Sequence, residues 1–304
     1  KDRSYKFEVE YFFEGRFPAI HFGCMPPEKV NLLEEAVEVA KNADAVILVV
    51  GTNSDWETEG NDRADLRLPA NQDQLIENIL KENENTVVVL NSGSPVSMPW
   101  LDESKAVLQS WFGGQEYGNS LADLVFGRAN PSGKLPTTFP VKIEDTPAFD
   151  YYPGKNSQMD YEEKLLVGHR WYEKKNIKPL FPFGFGLSYT NFSFSNLELN
   201  KKDDFNIDCK FKLKNLGKMD GSEVAQCYVS FSDAAKDEPL KSLQSFKKVF
   251  IKKDSEVEVK LSLNKRNFSY WDVEKKDWVV KSGKYTISIG SSSEHIELKE
   301  EVIL

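Results

Sequence analysis

The chain has 304 residues, of which 40% are hydrophobic, 12% aromatic and 29% charged, a composition of globular rather than disordered or fibrous proteins. Its formal charge of −9, with a sequence pI near 5.1, argues against nucleic acid or an anionic membrane as the main partner, because a surface of that sign repels both. No apolar stretch reaches the roughly 18 residues that span a bilayer, and the opening KDRSYKFEVE lacks the form of a signal peptide, which leaves cytoplasmic, periplasmic and secreted locations all open.

The length exceeds that of a single core, so two domains are expected, with a fragment of a third. The chain begins at Lys1 without a Met, which suggests a processed or trimmed piece of something longer. Before Pro26, YKFEVEYFFEGRFPAIHFG alternates like one or two strands. Residues 1–26 are therefore read as an edge left over from another domain.

From Glu28 to Lys41, Val30, Leu33, Val37 and Ala40 recur at helical spacing, and AVILVV at 45–50 follows as a buried strand. The pattern repeats. Residues 72–81 carry Leu75, Ile76 and Ile79 on one helical face, and TVVVL follows at 86–90; then AVLQSW at 106–111 precedes a helical segment at 116–126. Apolar strands alternating with amphipathic helices predict a mostly parallel sheet with helices packed on it, over 27–191. In such sheets ligands bind outside the carboxyl ends of the strands.

After about Phe192 the period changes to 2, in IDCKFKL, VAQCYVSF, VEVKLSL and YTISIG, with turn signals at Asn215-Leu-Gly217, Asp220-Gly221 and Ser282-Gly283. About seven short strands over 192–304 predict an immunoglobulin-like β-sandwich. Cys209 and Cys227 each alternate with apolar neighbours and read as inward-facing free thiols. The sequons at Asn191 and Asn267 are about what chance supplies.

The most charged stretch, NSDWETEGNDR at 53–63, directly follows the first strand. Asp55, Glu57, Glu59 and Asp62 are all candidates for the paired carboxylates of glycoside hydrolysis, although charged loops are commonly just solvated. Three details favour chemistry. Glu59 precedes Gly60, which allows a sharp turn; Trp56 can exclude water from a neighbouring carboxyl; and Asp62 and Arg63 can pair to hold the loop's shape. The loop NSGSP at 91–95 follows a parallel strand and can offer backbone amides, but it lacks a dinucleotide fingerprint. His21, His169 and His295 are scattered, without ligand spacing, so neither metal nor cofactor is implied. The aromatic run FPFGFGLSYT at 181–190 can line a sugar subsite, but it reads better as packing that plugs the junction between the two domains.

Together DWETEGNDR, NSGSPVSMPW, QSWFGGQEYGNSLADLVFG, NPSGKLPTTFP, VGHRWY and PLFPFGFGLSYT, in this order, resemble the second domain of glycoside hydrolase family 3, the β-glucosidase family. The segments NLGKMDGSEVAQCYVSF and LKSLQSFKKV resemble the fibronectin type III domain that often ends these enzymes, and the opening strands through HFG resemble the end of a protective-antigen-type insert. The resemblance implies a retaining β-glycosidase acting on terminal β-D-glucosyl residues of oligosaccharides or β-glucosides. It implies Glu59 as the general acid/base, with Glu57 the alternative, and Trp56, Glu57, Asp62 and Arg63 around the substrate. The Asp nucleophile then comes from a (β/α)₈ barrel on the same precursor or another chain, because a barrel of about 250 residues does not fit beside the two domains read here. Ser54-Asp55-Trp56 imitates the family's nucleophile motif but sits beside the acid/base, and is read as coincidence. A non-catalytic carbohydrate-binding or interaction module on the same fold is the rival reading, and homo-oligomerisation is left open.

Overall fold

The computed structural model describes residues 6–13, 20, 23, 31–60, 62–156 and 158–304. Of the opening stretch, residues 6–13 carry no strand, so the alternation there does not become a ladder; the rest of that expected edge lies outside the described residues.

Helix α1 (Leu32–Lys41) is capped by the Asn31 side chain, which accepts hydrogen bonds from the Leu33 and Glu34 amides, while Glu34, Glu35 and Lys41 complement the helix dipole. It leads into β1 (Val46–Gly51), then α2 (Gln72–Glu82), β2 (Thr86–Asn91), β3 (Ala106–Gln109) and α3 (Tyr117–Val125). The three strands form one parallel sheet in the order β1-β2-β3. Asn83, just past α2, ties the two helices together by donating to the carbonyls of Ala40 and Ala43, both at 2.8 Å. β3 stops earlier than the apolar run AVLQSW predicts, because Trp111 takes a left-handed conformation at φ 55° that a strand does not tolerate.

One face of the sheet makes the core. Val50, Val88 and Leu90 pack with Ile76 and Leu80 of α2, with Leu68, Val96, Met98 and Phe139, and with the fully buried Trp100. The Trp100 indole N–H finds its partner in Asp73 at 2.9 Å. The run AVILVV reads as wholly buried, yet Ile47 and Val49 remain 49% and 51% exposed. β1 is an edge strand, and its second face has less covering it than that of the central β2, where Val89 is fully buried.

A short helix, α4 (His169–Lys175), follows. Its seven mostly polar residues give no periodic signal, and it forms between a positive-φ Gly168 and a left-handed Asn176. The sandwich then comprises β4 (Phe192–Lys201), β5 (Ile207–Asn215), β6 (Gly221–Phe231), β7 (Ser242–Ile251), β8 (Glu256–Leu263), the hairpin β9 (Ser269–Asp272) and β10 (Asp277–Val280), β11 (Lys284–Gly290) and β12 (Ile296–Ile303). Antiparallel sheets ordered β12-β11-β6-β7 and β4-β5-β8 face one another across a core containing Phe211, Leu213, Ile287 and Ile289. Cys209 and Cys227 are free and wholly buried in that core. Contact with the Cys209 sulfur, together with burial, pushes the Cys227 thiol well up.

The two parts are joined by the aromatic run. Phe181 meets Phe139 edge-on and stacks on Phe185, and Phe183 stacks on His169, which in turn meets Tyr228 of β6 edge-on. Gln226 of β6 donates to the carbonyls of Gly184 and Ser291 and accepts from the Tyr228 hydroxyl at 2.6 Å. Gly184 sits at φ 79°, and a Cβ there would run into the Gln226 amide, so this glycine is required by both conformation and space. Ion pairs at 2.8 Å between Lys134 and Glu223 and at 2.7 Å between Lys241 and Glu173 complete the joint.

Burial, reinforced by the charges of Arg170 and Lys241, pushes the His169 imidazole down to about 4. A histidine lowered by folding refuses a proton that the unfolded chain accepts near pH 6.5, so its contribution is complete above that pH and is lost as pH falls toward 4. Glu173, raised by burial despite Lys241, acts in the opposite sense, its contribution being lost as pH rises. The isolating measurement is therefore a comparison with His169→Phe in chemical unfolding at pH 7 and pH 4.5. The parent should lose about 2 kcal/mol more than the variant over that interval, and equal losses would refute the assignment.

Candidate active site

All three parallel strands end on one rim, and the loops leaving it meet there. The edge of β1 is closed at that point by a side chain. Gln72, in the first turn of α2, accepts from the Gly51 amide at 2.7 Å and donates to its carbonyl at 2.9 Å, much as another strand would. Gly51 is required because a Cβ would collide with the Asn91 backbone, and the next residue continues the register through the Thr52 amide to the Asn91 carbonyl at 3.0 Å.

The charged run then curls into a single turn. The Asn53 carbonyl accepts from the Trp56 and Glu57 amides, and the Asn53 side chain accepts from those of Asp55 and Trp56, an Asx-type turn that sends Glu57 back toward the sheet. Its Oε1 accepts from the Thr52 hydroxyl at 2.5 Å and from the Gly93 amide at 3.0 Å, with Arg63 Nη1 at 4.0 Å. Arg63 reaches the same neighbouring loop, donating to Ser94 Oγ at 2.6 Å and to the Pro95 carbonyl at 3.0 Å. The Glu57 and Arg63 side chains are only 17% and 14% exposed. Burial lowers the Arg63 guanidinium from its usual value, while the charges of Glu57 and Asp65 oppose that shift.

Between these two anchors the loop projects outward. Glu59 and Gly60 are exposed, with Gly60 at φ 85°, a left-handed turn that glycine adopts without strain. No hydrogen bond or ion pair to Glu59 occurs among the described residues, whereas Asp62 accepts a short hydrogen bond from the Tyr152 hydroxyl. That bond holds the Tyr152 proton and raises its pKa. Trp56 is half-buried, and its indole N–H is buried without a hydrogen-bond partner. Asn61 lies outside the described residues.

The expected Asp62–Arg63 pair does not form: adjacent in sequence, the two side chains take different partners, Tyr152 for one and the 94–95 loop for the other. The amide offered by NSGSP goes to a side chain of this chain, Glu57. Sequence reading missed Thr52, Gln72, Ser94 and Tyr152, of which only Ser94 lay in a loop already marked. Asp55 is exposed, as a solvated turn residue would be. Of the loop's two glutamates, Glu57 is bonded internally and Glu59 stands clear.

Residues 14–189 match the glycosyl hydrolase family 3 C-terminal domain and residues 223–293 the fibronectin type III-like domain. The chain is 45% identical over 275 residues to thermostable beta-glucosidase B of Acetivibrio thermocellus, covering 90% of this chain and 36% of that protein. It is similar to the crystal structure of the Kluyveromyces marxianus beta-glucosidase in complex with glucose, with a TM-score of 0.86, 38% identity and coverage of 90% of this chain and 32% of the other. The GH3 beta-glucosidase of Bifidobacterium adolescentis gives a TM-score of 0.87 at 39% identity, over 92% and 42% of the two chains. The chain spans roughly a third of the length of the curated relatives it matches.

At Gly93 a Cβ would come within 2.5 Å of Glu57 Oε2 and 2.8 Å of the Phe112 ring. Gly93→Ala should therefore push Glu57 off its two donors, lower stability by about 1–2 kcal/mol and accelerate amide exchange across 52–57. Unchanged exchange in that segment would show that the carboxylate does not hold the loop.

Proposed function

The chain belongs to glycosyl hydrolase family 3, whose C-terminal domain and following fibronectin type III-like domain it carries, and on that footing we propose that it supplies the general acid/base of a retaining β-glucosidase. In this reading 27–191 is the α/β unit that presents the acid/base loop and 192–304 the sandwich that braces it. The observation that carries the proposal is the contrast within the charged loop. Glu57 has its oxygen bonded by Thr52 and Gly93, Asp62 is bonded by Tyr152, and Glu59 stands exposed at the apex beside a glycine pivot. A carboxyl that works against a sugar held by a different domain must project in this way.

Glu59 protonates the glycosidic oxygen as the aglycone leaves, and the resulting carboxylate then takes a proton from the water that attacks the glycosyl intermediate. The nucleophile, an Asp from a (β/α)₈ barrel, has to stand about 5–5.5 Å from it for retention. Trp56 and Asp62 flank the subsite. Asp62 accepts sugar hydroxyls beside its bond to Tyr152, and the Trp56 ring shields Glu59 from water when the barrel closes over the loop. The substrate class in this reading is a terminal non-reducing β-D-glucosyl residue of an oligosaccharide or glycoside; the relatives it rests on are named beta-glucosidases.

The test is Glu59→Ala in the polypeptide that joins this sequence to its barrel. Turnover of substrates with poor leaving groups should fall by about 10²–10⁴-fold, activated aryl glucosides should suffer far less, and added azide should restore the activity of the variant. Equal losses on both substrate types, or azide rescue of Glu57→Ala in its place, would overturn the assignment. A parent enzyme that binds glucose yet hydrolyses neither substrate would instead favour a non-catalytic carbohydrate-binding module.

A further inference from the structure

Glu57 and Arg63 flank the apex of the loop, and both are anchored on one neighbouring element, the 92–95 loop that leaves the central strand β2. β2 is the most deeply buried strand of the sheet, with Val88, Val89 and Leu90 all fully buried. We propose that Glu57, which accepts from Thr52 and Gly93, and Arg63, which donates to Ser94 and Pro95, are positioning residues: two struts that hold the loop on either side of Glu59 and Gly60 and so set where Glu59 delivers its proton. The inference rests on Glu59 being the acid/base.

Three observations carry it. The first is chemical economy at Glu57: one carboxylate oxygen takes both an O–H and an N–H, at 2.5 and 3.0 Å, with a guanidinium at 4.0 Å. Hydrogen bonds to a charged acceptor are the short, strong kind, and here they are made to atoms of the sheet rim. The second is the absence of slack. Gly93 has no room for a Cβ against Glu57, and Thr52 is only 8% exposed and continues the strand register. The third is geometric. Arg63 spreads its guanidinium over Ser94 Oγ and the Pro95 and Asp65 carbonyls, a fork that a single ammonium group cannot reproduce. Between the struts the chain turns at Gly60, at positive φ, and Tyr152 bonds it at Asp62, so the struts fix the ends from which that turn departs.

A sugar contact and a strut differ in what their loss changes. A group that binds substrate equally in ground and transition states raises KM when removed, whereas misplacing a proton donor by about 1 Å costs roughly 10²-fold in rate while leaving binding nearly intact. Thr52 is the discriminating position, because it is buried under the loop and bonds Glu57 itself.

In the barrel-bearing enzyme, Thr52→Val should lower kcat about 10–100-fold on substrates with poor leaving groups. KM should change less than about 3-fold, activated aryl glucosides should be nearly spared, and Thr52→Ser should restore the rate. Arg63→Lys should behave like Thr52→Val, and combining Thr52→Val with Glu57→Gln should cost less than the two separate effects multiplied, since both cut the same tie. Thermal unfolding of each variant serves as the folding control. If folded Thr52→Val and Arg63→Lys keep the parent kcat while Glu59→Ala is crippled, the struts are refuted and the acid/base stands. A raised KM at unchanged kcat in Arg63→Lys refutes the struts by making Arg63 a sugar contact. If Glu59→Ala is itself inert, the acid/base reading falls first.

Discussion

A bond between a loop carboxylate and the rim of a parallel sheet organises the charged loop of this molecule. Glu57 Oε1 receives the Thr52 hydroxyl and the Gly93 amide, and so couples the end of β1 to the end of β2. Parallel pairing makes this possible. Because β1 and β2 run in one direction with Gly51 opposite Asn91, their exits lie side by side, and a side chain five residues beyond Thr52 can reach across to the neighbouring strand's loop. A buried carboxylate is costly unless it is bonded; this one is bonded, and the expense of removing it from water is offset by donors that cannot easily move.

The second organising feature is the joint between the α/β part and the sandwich. Aromatic contacts, Phe181 with Phe185 and Phe183 with His169 and through it Tyr228, supply apolar area. The polar fastening comes from Gln226, Lys134 with Glu223, and Lys241 with Glu173. A buried ion pair is weak evidence of net stabilisation, since desolvation opposes the attraction, but it specifies one arrangement, because any other would strand a charge away from water. The sandwich thus braces the α/β unit in a single pose.

Much of this was legible from residue patterns. The alternation of VILVV and TVVVL with helices carrying Leu75, Ile76 and Ile79 predicted the parallel sheet, and period-2 runs with Gly and Asn turns predicted the sandwich. Both hold because strands and helices bury faces whose spacing is set by backbone geometry alone. Of the aromatic run read as a plug, Phe181, Phe183 and Phe185 pack as expected, whereas Tyr189 remains 49% exposed. Helix α4 was not foreseen, since its seven residues owe their shape to a cap on either side and to packing on the sandwich. Nor was the exposure of Ile47 and Val49, because a strand's sequence does not say whether it will lie at an edge.

At the site the division is sharper. By itself the sequence determined that a carboxylate-rich loop follows the first parallel strand, that a glycine pivots it beside Glu59, and that its motifs resemble those of one glycosidase family. It could not say which carboxylates are occupied, because Glu57 and Gly93, Arg63 and Ser94, and Asp62 and Tyr152 stand 36, 31 and 90 residues apart. Only the tertiary structure brings those pairs within hydrogen-bond reach. A hydrogen bond acts over about 3 Å, and no local pattern encodes a distance of that kind between segments the fold has yet to bring together.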